Sequence, residues 1–346
     1  MTYKLLHGEG RTGLRKVGII GCGGIAKVHA WVLGGMEDVR VTAFCDVDLE
    51  RARELAETMG NLEDVLICDN WRQVCHADVD VVHLCTPHHL HVPMAIGFLR
   101  SGKAVFMEKP CATTEEQFQK LREENQRYPG KLGFCFQNRY NETTILMDHL
   151  VAEKQIGKII GGRAFVTWRR DKDYYEGSLW KGRIDTEGGG ALINQSIHTL
   201  DLLLRYLGKP KTVKAMIANH HLSSRIEVED TVEAWMAFGG DKRGCFYAST
   251  GYAADAPVLL ELQGEKGRIT LNGSEVTVYA EDEPPKHYIR EWEKGIGKDY
   301  WGCGHKACIR DFYRSLRTGG RFQNDLKGVE NVFQTMMQIY ESARNS

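Results

Sequence analysis

Between Arg15 and Asn138 short β-branched runs alternate with amphipathic segments, and turn residues mark the changes between them. The runs "KVGII", "VRVTAFCD", "VLICD", "VDVVHLCTP", "KAVFMEKP" and "KLGFCFQ" have strand length and strand composition. Among the helices between them, "DLERARELAETMG" has Asp48 as N-cap candidate and ends at Gly60, and "TTEEQFQKLREENQRYPG" opens with a capping box from Thr113 to Glu116. Six strands with intervening helices predict a doubly wound parallel sheet within residues 1–138, preceded by an arm over 1–14.

Beyond Asn138 the texture changes. A helical segment "NETTILMDHLVAEKQIG" leads into "IIGGRAFVTWRR", and the later runs "KTVKAMIANHH", "DTVEAWMAFGG", "RGCFYASTGY", "PVLLELQGEKGRITLNG" and "SEVTVYAE" adjoin with few helices between them. Strands in such sequence pair as a largely antiparallel open sheet. Two closing helices, "GHKACIRDFYRSLRTG" and "GVENVFQTMMQIYESAR", complete a second α/β domain over 139–346, placed to pack back on the first.

One segment breaks the apolar pattern from inside. In "GGGALINQSIHTLDLL" the residues Ile193, Ile197, Leu200 and Leu204 form one helical stripe, and Asn194, His198, Asp201 and Arg205 repeat the spacing one position on. The polar file therefore borders the buried stripe. Gly188, Gly189 and Gly190 ahead of it admit a close neighbour such as a cofactor. A lone histidine in such a place is most simply a satisfied core residue; Asn194 one turn earlier favours a directed site. Asp201 sits about 10 Å along the axis from Asn194 and counts as support for the site rather than as part of it.

Composition narrows the class. The 346 residues are 42% hydrophobic and 26% charged with a net charge of -1, which fits a folded two-domain protein and gives no basic face for nucleic acid or a membrane surface. The N-terminal residues contain no long apolar run, so neither a signal peptide nor an anchor is expected. Ten cysteines fall mostly inside strand-like runs, as Cys45 and Cys85 do, which suits reduced thiols and a cytoplasmic location.

Chemistry enters with "KVGIIGCGGIAKVHAW". Gly21 and Gly23 occupy the first two positions of G-x-G-x-x-G/A and Ala26 the third, with Gly24 and Ile25 between them. A tight turn without Cβ atoms at a helix N-terminus can take a pyrophosphate on free N–H groups. Asp46 closes the next strand, where a carboxylate meets ribose hydroxyls and repels a 2′-phosphate, so NAD is expected over NADP. The plainer alternative is an ordinary βα turn with Asp46 opening a helix, and Arg51 keeps NADP open. "MEKP" ends the fifth strand and places Glu108 and Lys109 at the carboxyl edge of the sheet, where ligands of such sheets lie; a surface lysine is the bland counterpart. His198 has the chemistry of a general base and Lys109 that of a cation for a developing alkoxide. "HHLH" at 88–91 and "CGHKAC" at 303–308 lack the paired spacing of a zinc site, so no metal is expected.

The ordered set "GCGGIA", "TPHHLH", "GKAVFMEKP", "WKG", "GGGALINQSIHTLDLL", "GEKGRITL" and "GHKACIRDF" resembles the glucose-fructose oxidoreductase / inositol dehydrogenase / rhizopine-catabolism family over almost the whole chain. The resemblance implies a Rossmann domain and an α/β domain whose open sheet often mediates homo-oligomers, dimers or tetramers. It implies that Lys109 and His198 are catalytic, with Asn194 where many relatives carry aspartate. Thr86, Pro87, His91, Glu108 and Gln137 are implied to line the nucleotide beside the glycine turn and Asp46.

The implied substrate is a sugar, glycoside, nucleotide sugar or cyclitol, oxidised or reduced at a secondary ring hydroxyl, often pyranose C3. Arg169, Tyr174 and Trp180 in "WRRDKDYYEGSLWKGR", together with Asn194 and His198, are the substrate-contact candidates, because aromatic faces and hydrogen-bonding cations suit a sugar ring. Two other functions share the site: an NAD-retaining glycosidase or lyase working through transient oxidation, and a non-catalytic NAD-sensing regulator.

Overall fold

A computed structural model describes residues 14–60, 64–290 and 302–345. The expected arm over 1–14 therefore lies outside the described residues except for its last position.

Six strands, β1 (Arg15–Ile20), β2 (Val39–Cys45), β3 (Leu66–Cys68), β4 (Val81–Leu84), β5 (Ala104–Met107) and β6 (Leu132–Phe134), form one parallel sheet in the order β3-β2-β1-β4-β5-β6. The helices α1 (Gly24–Gly34), α2 (Leu49–Thr58), α3 (Trp71–His76), α4 (His88–Arg100) and α5 (Glu115–Arg127) connect them. The strand order reverses between β1 and β4, and such a switch point opens a crevice at the carboxyl ends of the strands. β4 and β5 are wholly buried, as strands covered on both faces must be.

Local signals held with small shifts. Asp48 caps α2 by accepting from Glu50 N at 3.1 Å. The cap of α5 is Thr114, one residue later than expected, accepting from Gln117 N at 3.2 Å. Gln117 in turn accepts from the backbone N–H and hydroxyl of Thr113, at 3.1 and 3.0 Å, so the box is built on glutamine rather than Glu116.

After a 3₁₀ turn at Gln137–Tyr140 and α6 (Glu142–Ala152), eight strands make the second sheet: β7 (Ile159–Thr167), β8 (Thr212–Ala218), β9 (Thr231–Ala237), β10 (Arg243–Ser249), β11 (Leu259–Gly264), β12 (Gly267–Asn272), β13 (Glu275–Ala280) and β14 (Lys286–Ile289). Their order is β14-β13-β12-β11-β7-β10-β9-β8, antiparallel throughout except for β7 beside β10. The run "PVLLELQGEKGRITLNG" is two strands, folded back at Glu265–Lys266. The "WRRDKDYYEGSLWKGR" segment carries α7 (Lys172–Glu176), and α8 (Ile184–Glu187) follows it.

The segment starting at Gly188 departs most from its expected form. Ala191–Ser196 is a π-helical turn, and only from Ile197 to Leu207 does a regular helix, α9, follow. Ser196 donates its hydroxyl to Ala191 O at 2.6 Å, drawing a hydroxyl into the wider turn. Ile193, Ile197, Leu200 and Leu204 are buried in the core, as their spacing requires. The three glycines admit protein rather than a cofactor. A Cβ on Gly188 would lie 2.7 Å from Cβ of Thr113, and those on Gly189 and Gly190 would strike Tyr340 and the Glu229 backbone. None of the three lines the cavity described below. The closing helices are α10 (Gly304–Thr318) and α11 (Leu326–Arg344); Phe312 of α10 packs under Gly133 of β6 in the first sheet.

Candidate active site

A cavity of about 790 Å³ runs from the glycine turn after β1 to the start of α9. Its first end is set by backbone geometry. Gly21 has φ +84° and a Cβ there would lie 2.6 Å from Cys85 O, so the turn closes against the end of β4 only as glycine. Cβ atoms on Gly23 and Gly24 would meet no protein atom, which leaves the N-terminus of α1 open to the cavity. Asp46 accepts from Cys22 N at 2.7 Å and from Asp48 N at 3.0 Å, which fixes its carboxylate at the rim. Arg51 lines the same end and pairs with Asp48 at 3.3 Å. Open backbone donors, glycines without clashes and a fixed carboxylate fit an adenine dinucleotide.

Ile25, Thr86, Pro87, Glu108, Lys109 and Gln137 join that wall. Ala26 and His91 do not. Ala26 is fully buried in α1. His91 is buried one layer behind, bridging Pro110 O and Thr86 O at 2.9 Å each; it holds the two loops that form the wall, a role a motif match cannot separate from direct contact.

The other end brings Lys109, Asn194 and His198 together. Lys109 Nζ donates to Asn194 O at 2.7 Å and to Asn194 Oδ1 at 2.9 Å. The amide's nitrogen therefore faces the opposite way, where Asn194 Nδ2 donates to Glu187 Oε1. His198 lines the cavity with its Nδ1 buried and without a hydrogen-bond partner, and packs edge-on to Phe136 with ring centroids 5.5 Å apart. Burial, and then the Lys109 cation, push its pKa down to about 3, so the imidazole is neutral. Burial also lowers Lys109, against the pull of the Glu108 and Glu187 carboxylates. Burial raises Glu187 to about 7, opposed by hydrogen bonds from Gly182 N and Asn194. Glu187 carries no periodic signal: three glycines separate it from the helix, and it ends the polar run "KGRIDTE", in which an acid does not stand out.

The rest of the polar file turns away. Asp201 is 3% exposed and forms a two-pronged ion pair with Arg139, with Nε to Oδ2 at 2.7 Å. Arg205 pairs with Asp148. Asp201 thus ties down the 3₁₀ turn that carries Gln137 instead of standing beside His198.

On the outer wall Tyr174 and Trp180 face the cavity with Trp168, Lys181 and Gln195. Arg169 does not line it; its exposed side chain reaches Asp171 at 3.8 Å. The inward residue is Arg170, which donates to Gln195 Oε1 at 2.9 Å and to Asp255 at 3.0 Å. Gln195 donates to the Tyr174 hydroxyl at 2.7 Å. Strand parity explains the exchange: Ala164, Val166, Trp168 and Arg170 are all buried, so Arg169 must point out.

Behind Lys109 lies a buried chain of polar groups. Tyr313 meets His83 Nε2 at 3.0 Å, His83 Nδ1 meets His29 Nδ1 at 2.9 Å, and His29 Nε2 meets Glu108 Oε1 at 3.1 Å. Burial raises Glu108, yet the His29 hydrogen bond and charge outweigh it and hold the carboxyl well below the usual range. His29, Glu108 and Cys135 bring ligand-type atoms within 4.8 Å of one another. His29 and Glu108 are already bonded to each other, so this reads as an internal network. In "HHLH" each histidine binds a main-chain carbonyl rather than its neighbours: His88 that of Glu187, His89 that of Thr186 and His91 those above.

Residues 15–133 match the model of an oxidoreductase family with an NAD-binding Rossmann fold, and 145–270 match the GFO/IDH/MocA C-terminal domain. D-glucoside 3-dehydrogenase of Escherichia coli is 31% identical over 58% of this chain and 56% of its own length, so the match spans little more than half of either protein. Levoglucosan dehydrogenase of Pseudarthrobacter phenanthrenivorans is 23% identical over 88% of this chain and 90% of its own. The WlbA dehydrogenase from Chromobacterium violaceum, solved with NADH and UDP-GlcNAcA, superposes with a TM-score of 0.84 at 25% identity over 97% of this chain and 95% of that one. Both family models match in order along one chain that folds as a parallel sheet followed by a largely antiparallel one, and the chain belongs to the GFO/IDH/MocA oxidoreductase family, with an NAD-binding Rossmann fold in its first part.

Proposed function

We propose that the protein is an NAD-dependent dehydrogenase acting on a secondary ring alcohol of a sugar, glycoside, nucleotide sugar or cyclitol, with a pyranose C3 hydroxyl as the expected position. One observation carries the reading: Lys109, Asn194 and His198 meet on the wall of the same cavity whose far end is the glycine turn and Asp46. The names of the relatives run in the same direction, toward glucoside C3 and levoglucosan.

A bound nicotinamide supplies hydride acceptance. The chain's own residues manage the oxygen. His198, neutral because it is buried beside Lys109, removes the alcohol proton. Lys109 has three ammonium hydrogens and gives two bonds to Asn194, so one remains for the substrate oxygen as negative charge develops there. Asn194 orients that ammonium. Tyr174, Trp180 and Trp168 offer faces for the C–H side of a ring, and Gln195, held by Arg170, offers an amide to its hydroxyls. Arg169 has no part in this wall.

The test is a panel of free sugars, glycosides, cyclitols and nucleotide sugars with added NAD, following cofactor reduction and locating the keto carbon by NMR. Reduction by a member of these classes with the ketone on a ring carbon is expected. No reduction across all four classes refutes the reading. Glycoside cleavage by protein purified with bound nucleotide, without added NAD, replaces it by the NAD-retaining hydrolase.

We further infer that the protein forms homo-oligomers through the open face of the second sheet, where Met216 on β8 and Trp235 on β9 are 66% and 45% exposed while α9 and α11 cover the other face. Among the described residues no helix is long and apolar enough to cross a membrane.

A further inference from the structure

Glu187 is 1% exposed and does not line the cavity, yet it is one hydrogen bond from the group that binds Lys109. One carboxylate oxygen takes Asn194 Nδ2 and the other takes Gly182 N. Its own carbonyl accepts from His88 Nδ1 at 2.8 Å, which secures the end of α8 against α4. An amide has one accepting and one donating end, so an Asn194 whose oxygen faces an ammonium must present its NH₂ to an acceptor. Glu187 is that acceptor. The nearby Glu229 is occupied otherwise, accepting from Leu192 N at 3.0 Å and from the Tyr340 hydroxyl at 2.9 Å. Among the described residues no carboxylate hydrogen-bonds Lys109 Nζ directly; Glu108 instead accepts from the Lys109 backbone N–H at 3.3 Å.

We propose that Glu187 is the positioning residue of this site, a carboxylate that acts through Asn194 to lock the amide toward Lys109 and to supply the negative charge that keeps the Lys109 ammonium protonated in a buried setting. The proposal rests on reading Lys109 as the cation beside the reacting oxygen. It adds a three-part chain, Lys109 to Asn194 to Glu187, in which two residues do the work that one carboxylate at position 194 would do by direct contact. The charge on Glu187 is set locally. Burial works against it, Gly182 N and Asn194 favour it, Glu229 opposes it and Lys109 favours it, while Tyr175, Tyr340 and His88 are the other titratable groups around it. Because the carboxyl sits near 7, acidification from mildly alkaline to mildly acid pH neutralises it and removes the counter-charge from Lys109.

The experiment reads Lys109 and Glu187 directly, by NMR titration of the full-length protein labelled with ¹⁵N-lysine and ¹³C-glutamate, with Lys109→Met and Glu187→Gln identifying the two signals. Glu187→Gln is expected to reduce the proton affinity of Lys109 by about tenfold or more, the size expected when a close opposite charge is lost. Adding Asn194→Asp to Glu187→Gln is expected to restore it, because the new carboxylate contacts the ammonium itself. Reciprocally, Lys109→Met must raise the proton affinity of Glu187, a readout that does not depend on Glu187→Gln folding. An unchanged Lys109 titration in Glu187→Gln, no recovery in the double variant, or an unmoved Glu187 in Lys109→Met overturns the proposal. None of these readouts involves turnover. Loss of hydride transfer in Lys109→Met with an unmoved titration refutes the Glu187 proposal alone, and retained transfer refutes the catalytic reading instead.

Discussion

Replacing Asp201 by asparagine changes one charge and almost no volume, yet it strands a buried cation. Arg139 is 9% exposed and Asp201 3%, and the guanidinium makes two bonds to the carboxylate. Its other hydrogen bonds go to Asn324 Oδ1 at 3.1 Å, Gly328 O at 3.0 Å and Gln323 O at 3.5 Å, all neutral acceptors, and it lies over the Phe136 ring. Breaking one partner out of a buried ion pair typically costs about 3–5 kcal/mol, far more than a surface pair, because the survivor stays desolvated. With an unfolding entropy of about 2 cal/mol/K per residue, that loss lowers the melting temperature by roughly 4–7 °C for a chain of this size. Thermal melts of Asp201→Asn, Arg139→Gln and the double variant measure it. The double variant should cost clearly less than the sum of the singles, since two amides can bond each other where a lone guanidinium cannot. Single variants costing less than about 1 kcal/mol, or costs that simply add, would refute the buried-pair argument.

Acid should destabilise the protein early. Burial lowers His83, His88, His91, His198 and His305, so these imidazoles stay neutral when folded, while the unfolded chain takes up protons below about pH 6.5. Stability is therefore present above that pH and lost as pH falls toward the folded values; for His198 and His305, pushed down to about 3 and about 4, the loss is about 2 kcal/mol each by pH 5. Glu187 and Glu229, raised by burial, act with the opposite sign but are fewer; a melting temperature unchanged between about pH 7.5 and pH 5 contradicts the burial. Asp46→Ser should raise KM for NAD by about tenfold or more and narrow the preference against NADP, because the carboxylate proposed to meet the ribose is gone; unchanged KM values for both cofactors argue against that placement. Trp235→Glu should shift the protein to a smaller species in light scattering if the open sheet is the subunit contact, and an unchanged mass removes it.

How far the sequence could be read differs by the kind of signal. The glycine turn and the strand-end Lys109 were legible because backbone sterics and strand ends dictate them locally. The π turn was not, since apolar spacing looks the same over one widened turn, and Ile193 and Ile197 are buried either way. The glycine triplet was legible as a close approach but not as to what approaches, because Thr113, Tyr340 and Glu229 come from distant parts of the chain. Likewise Asp201 kept its spacing while its partner Arg139 was invisible to any periodicity. Arg169 and Arg170 differ only in strand parity, and the alternation of Ala164, Val166 and Trp168 held that information unused.

The central claim is that Lys109 and His198 manage the proton and the charge of an alcohol oxidation at this cavity. Single-turnover hydride transfer in Lys109→Met and His198→Ala, with NAD binding measured in the same samples, tests it most directly. Losses of about 10²–10³ in rate for the cation and about 10²–10⁴ for the base, with NAD still bound, are the predicted result. Rates near wild type in both variants contradict the account.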